Sequence, residues 1–176
     1  EAPASAGLLA AMQKDLGLTK SQAEARLTAE KAAAELQGTA RKAAGASFGG
    51  AWFDAGSGKL TVAVTDDASA RSVRATGAQT RLVSHTARQL DAAKAGIDAL
   101  AAPSGVSSWH VDPRANSVVI DVVASQRDDN DVRTFLAKAR HTGPVTVRQT
   151  DQAPRTFAAG TVGGDPFYTG NVRCSI

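Results

Sequence analysis

One pattern occurs twice in this chain and limits what it can fold into. Residues 49–64, GGAWFDAGSGKLTVAV, alternate apolar and polar positions, break at a Gly/Ser turn over 55–58, and resume with Leu60, Val62 and Val64 on one side. A helical stretch follows from about Asp67 to Thr76, stopped by Gly77, and then a strand, TRLVS. The same succession returns in VSSWHVDPRANSVVIDVV, a strand, a polar turn at Asp112–Asn116 and an apolar strand carrying Val118, Ile120 and Val122. DDNDVRTFLAKARHTG is then a helix behind an Asp N-cap, with Val132, Phe135 and Leu136 on one face, and PVTVRQ is a closing strand. The repeat predicts an α+β fold of two ββαβ units, each a three-stranded sheet with a helix on one face. Trp52 and Trp109 are expected at equivalent, half-buried places in the two units.

Helices fill the remaining regular segments. LLAAMQKDL places Leu9, Met12 and Leu16 on one face, and Gly17 suits the left-handed stop. Thr19 and Gln22 then have the spacing of a capping box, opening a long helix to about Ala44 whose apolar face is mostly alanine. Thr86 and Gln89 repeat that spacing before a helix with Leu90, Ala93, Ile97 and Leu100 on one side, ended by Pro103. It joins the two units. After Gln149 the periodicity fails, and TDQAPRTFAAG is expected to be extended, since Pro154 has no amide for a ladder. The predicted organisation is a helical segment over 1–45, a first unit with its connecting helix over 46–102, a second unit over 103–149, a tail over 150–160, and a distinct segment over 161–176.

Several chemistries find no support in the residues. GASFG, residues 45–49, matches the G-x-S-x-G pattern of a nucleophilic serine, but that pattern needs a strand-to-helix turn and here it lies between a helix and a strand. GSGK, residues 56–59, is followed by Leu60 where a phosphate loop needs Ser or Thr for magnesium, so it is a hairpin turn. His85, His110 and His141 have no partners at metal-ligand spacing, and neither a metal nor a cofactor is expected. The net charge of +3 is spread along the chain, which gives no basic patch for nucleic acid. No apolar run reaches the length of a membrane span. Cys174 has no second cysteine in the sequence; a reactive thiol, a buried small side chain and half of a disulfide are all open, and its place in the terminal segment favours the last.

TVGGDPFYTGNVRCSI, residues 161–176, is an unusual segment to follow such a tail, with a Gly-Gly turn, an Asp-Pro and the single cysteine. It resembles the first strand region of the mature domain of secreted bacterial serine proteases of the alpha-lytic protease/streptogrisin family. AMQKDLGLTKSQAEARL, FGGAWFDAGSGKLTVAVTD and VSSWHVDPRANSVVIDV resemble the long pro-region of the same family, so the resemblance spans essentially the whole chain. It implies a secreted precursor whose pro-region catalyses folding of a chymotrypsin-like protease and then inhibits it. The cognate mature protease is the implied partner, with no role for nucleic acid, membrane or metal. None of the three triad residues is supplied by this chain, which is therefore not expected to be an enzyme by itself. By segment matching, the docking sheet falls in 107–149. The tail, with Pro154, Arg155, Thr156, Phe157 and Ala158, lies in the protease cleft like a product. Processing is implied within Phe157, Ala158, Ala159, Gly160 and Thr161, with the bond after Ala158 favoured. Cys174 pairs, by the same resemblance, with a cysteine beyond residue 176. The competing reading is a free-standing secreted protease inhibitor.

Overall fold

A computed structural model describes residues 5–151, 166–169 and 172–175. Helix α1 (Ala6–Leu16) is capped by the Ser5 hydroxyl, which accepts from the Leu8 amide, and it ends at Gly17 with φ 65°. Helix α2 (Lys20–Ala44) begins with the expected capping box: Thr19 accepts from the Gln22 amide while the Gln22 side chain accepts from the Thr19 amide. Its buried residues are Ala23, Ala33, Ala40 and Ala44. On α1 only Met12 is buried; Leu16, expected beside it, is 48% exposed. Among the described residues α1 packs chiefly on α2, and a helix of three turns on one main neighbour leaves the end of its apolar row uncovered.

The repeat folds as two sheets. In the first, β1 (Phe48–Asp54) and β2 (Lys59–Val64) form an antiparallel hairpin, helix α3 (Asp67–Ala75) crosses over, and β3 (Gln79–Leu82) lies parallel to β2. In the second, β4 (Val106–Asp112) and β5 (Ser117–Val123) form the hairpin, α5 (Asn130–Arg140) crosses over, and β6 (Val145–Thr150) lies parallel to β5. A parallel third strand needs such a crossover, because no short turn can reverse the chain twice. A short antiparallel hairpin, β7 (Pro166–Thr169) with β8 (Val172–Ser175), follows.

Register shows how close the repeat is. Phe48 opposite Val64 matches Val106 opposite Val122, Asp54 opposite Lys59 matches Asp112 opposite Ser117, and each first strand has its irregularity at the same place. That register corrects the expectation for the tryptophans. Trp52 opposes Thr61 and so matches His110 opposite Val119, whereas Trp109 opposes Ile120 and matches Ala51 opposite Val62. A shift of one residue turns a side chain to the other face of its sheet. Trp109 therefore faces its helices, with its ring 5.9 Å from Phe135, while Trp52 lies under the guanidinium of Arg114 at 5.7 Å.

Two helices cover each sheet, one more than expected. Ala33, Ala40 and Ala44 of α2 join Ala70 and Val73 of α3 over Leu60, Val62 and Val64. In the second unit α4 (Ala87–Asp98), the helix that joins the units, packs Ala93 and Ile97 with Val132, Phe135 and Leu136 of α5 over Val118, Ile120 and Val122. Leu100 and Trp109 close its margin. The structural repeat is thus αββαβ.

The turn between β4 and β5 fastens the second unit to the first. Arg114 donates through Nη2 to the Phe53 carbonyl at 2.9 Å, and its own carbonyl accepts from Arg81 at 2.9 Å. Asn116 Oδ1 accepts from the amides of His85 and Ser84 at 2.9 and 3.1 Å, and its Nδ2 donates to the His85 carbonyl at 2.7 Å. Asn116 holds φ 51°, at the position taken in the first hairpin by Gly58 with φ 66°. Asn tolerates this left-handed region better than most residues, and here its amide also links the units. Gly50, with φ 127°, lets Pro113 approach: a Cβ on it would stand 2.4 Å from the Pro113 Cβ.

Candidate functional site

The second sheet carries the candidate arrangement. Its α5 side is apolar, and its other side presents Ser108, Asp121, Ser117, Thr146 and Arg148 across all three strands. Asp121 is the lone charge in the run VVIDVV and is 7% exposed. The Arg148 guanidinium grips it with two bonds, Nε to Oδ1 at 2.6 Å and Nη2 to Oδ2 at 3.0 Å, and the Ser108 hydroxyl donates to Oδ2 at 2.8 Å. Those bonds, the Arg148 bonds foremost, hold the Asp121 carboxyl below the usual carboxylate range, against the opposing effect of burial. Arg148 is pushed up by the same contact. Ser117 and Thr146 share a hydrogen bond of 2.8 Å between β5 and β6. β6 is thereby fixed to β5 on both faces, by valines on one and by this polar row on the other.

Among the described residues the outer edge of β6 is open. The strand order β4-β5-β6 leaves it with no strand neighbour among the described residues. The Val118 amide bonds to the Pro144 carbonyl and Val118 pairs with Val145, so the backbone groups of alternate residues Thr146, Arg148 and Thr150 face β5. Those of Val145, Val147 and Gln149 face outward. The other edge, β4, is interrupted by its irregularity between Val106 and Ser108, which disfavours pairing there. β6 also leads directly into the tail.

Of the expected site residues, Pro154, Arg155, Thr156, Phe157, Ala158, Ala159, Gly160 and Thr161 lie outside the described residues. Cys174 is on β8, opposite Phe167. With one cysteine the chain holds no disulfide of its own, and nothing in the structure supports the half-disulfide implied by the resemblance. Ser47, at the centre of GASFG, donates to Asp66, which caps α3 through the Ser69 amide. Its hydroxyl is tied into the start of α3 through the capping carboxylate. His85 is held by its backbone to Asn116, His110 is exposed on β4, and His141 follows the end of α5. Among the described residues no group of three His, Cys, Asp or Glu side chains could hold a metal, and no helix is long and apolar enough to cross a membrane. The expected Asp cap of α5 is Asp129, whose side chain makes no capping bond.

The comparisons with known proteins follow the two units. The family model described as the alpha-lytic protease pro N-terminal matches residues 21–83, from α2 to the end of β3. The alpha-lytic protease prodomain model matches residues 85–143, from the approach to α4 through α5. Streptogrisin-C of Streptomyces griseus is 34% identical over 98% of this chain and 38% of its own length. Serine protease 1 of Streptomyces fradiae is 39% identical over 72% of this chain and 34% of its own. Serine protease 1 of Rarobacter faecitabidus is 35% identical over 65% of this chain and 22% of its own. The chain thus spans less than two-fifths of the curated relatives it matches. Two helix-covered sheets in series, each matched by its half of one pro-region, place this chain in the alpha-lytic protease pro-region family.

Proposed function

We propose that this chain is the pro-region of a secreted chymotrypsin-like serine endopeptidase, and that it catalyses the folding of its protease and then inhibits it. The observation that carries this reading is the order of the two pro-region models on the two αββαβ units. The physical need is clear. A double β-barrel protease is dominated by long-range strand pairings, which fold slowly. Its persistence rests on a high unfolding barrier, and a partner that binds the folding transition state lowers that barrier from the other side. The cognate protease docks by adding strands to the second sheet, within 107–149, and the tail at 150–160 enters the active-site cleft. Pro154, Arg155, Thr156, Phe157 and Ala158 occupy the cleft, and the cut releasing the protease falls between Phe157 and Thr161, with the bond after Ala158 favoured. N-terminal sequencing of the secreted protease checks the last point; a start upstream of Pro154 rules it out.

Unfolded mature protease is diluted into native buffer with and without the chain, and active protease is titrated after removal of the chain. A large gain in recovered activity, together with tight inhibition of native protease, is expected. Inhibition without assisted folding leaves the free-standing inhibitor reading, and the absence of both effects overturns the proposal.

A further inference from the structure

Beside the open edge of β6 runs a groove lined by Arg127, Asp128, Arg133, Leu136, Arg140 and Val147. Arg133, Leu136 and Arg140 form one row along α5, and Val147 is the β6 side chain packed against the second core. All three arginines are exposed, and among the described residues none of their guanidinium groups makes a hydrogen bond or ion pair. The groove's single carboxylate, Asp128, leaves it with an excess of positive charge. Three arginines without a partner among the described residues, around an apolar floor and next to a strand edge that no described strand covers, form a surface of defined chemistry.

We propose that this groove takes an extended acidic segment of the cognate protease, which pairs its backbone with Val145, Val147 and Gln149 and lays its carboxylates against Arg133 and Arg140. The protease as source rests on the proposed function; the acidic character rests on the groove. A strand added to β6 lies about 4.8 Å from it, and residues opposite Val147 and Gln149 point to the α5 side, as those two do. Same-face residues on that strand repeat at about 6.8 Å. Arg133 and Arg140 are two helical turns apart, about 10 Å along the axis. Long guanidinium side chains span the difference, so acidic residues at alternate positions each meet a cation with bidentate geometry. The arginines select an acidic strand from the many that could pair with a bare edge, and they raise the encounter rate.

The test uses the full chain and native mature protease, with inhibition measured at low and high salt. Arg133→Glu/Arg140→Glu is expected to raise the inhibition constant about tenfold or more at low ionic strength, mainly through slower association, with the gap narrowing as salt screens the charges. Gln149→Pro, which removes one outward amide and no β5–β6 bond, is expected to weaken inhibition without changing the salt dependence. Arg71→Glu/Arg88→Glu makes the same charge change at exposed sites on α3 and α4 and is expected to leave inhibition within about twofold. Circular dichroism and melting of each variant control for folding. Equal inhibition by the Arg133/Arg140 variant and the parent overturns the proposal, as does an equal loss in the Arg71/Arg88 control. A parent chain that does not bind the protease overturns this inference and the proposed function together. Inhibition by the parent with no effect of the groove variants removes the groove alone.

Discussion

Asp121 and Asn116 show how single polar side chains set the geometry of this pro-region. Asp121→Asn is expected to cost about 1–2 kcal/mol in thermal or urea unfolding, through weakened bonds to Arg148 and Ser108. The pH dependence has a definite sign. The folded carboxyl lies below its unfolded value, near 4, so its contribution is fully present above that pH. It is lost as pH falls through the depressed folded value, and acid unfolding profiles of Asp121→Asn should lack that component. Asp121 was open to notice as the single charge in VVIDVV, but nothing local names Arg148, in the next strand and beyond a helix, as its partner. The tryptophans carry a plainer lesson. Trp52 stands two residues before Asp54 and Trp109 three before Asp112, so counting from the turns assigns them to opposite faces. Resemblance of residue type concealed the shift.

Elements were legible where their signals are local. The two capping boxes, the Gly17 stop and the alternation in each hairpin are written within a few residues of the structure they produce. Helix α4 was legible as a helix, but its apolar row of Leu90, Ala93 and Ile97 does not name the sheet it meets. Ala93 and Ile97 pack into the second core, while α4 also touches β1, so Ile97→Ala is expected to destabilise the second unit by about 2–5 kcal/mol. Hydrogen exchange checks where: amides of β5 and α5 should lose protection before those of β2. The tail is expected to behave in the opposite way. Deleting residues 154–160 should weaken inhibition by a few kcal/mol, on the order of one filled pocket plus several strand hydrogen bonds, and leave circular dichroism unchanged.

Across the whole molecule the β4–β5 turn ties the two similar units together. Arg114, Asn116 and Pro113 reach Phe53, His85 and Gly50 from a single hairpin tip. Gly50→Ala forces a Cβ into Pro113 and a side chain onto φ 127°, so calorimetry should show the two units melting farther apart in temperature than in the parent chain. The alanine-faced α2 has a different consequence, one of lifetime. Burying an alanine removes little apolar surface from water, about one methyl each, so α2 is held lightly for its length, and α1 hangs from it by Met12. Limited digestion with trypsin should cut first at Lys14 or Lys20 and then along α2, while the second unit survives. On the proposed function, a folding helper that also blocks its product's active site would have to be removed, and α1 and α2 lie at the end farthest in sequence from the proposed docking sheet. Destruction beginning there would not first have to pry the proposed inhibitory contact apart.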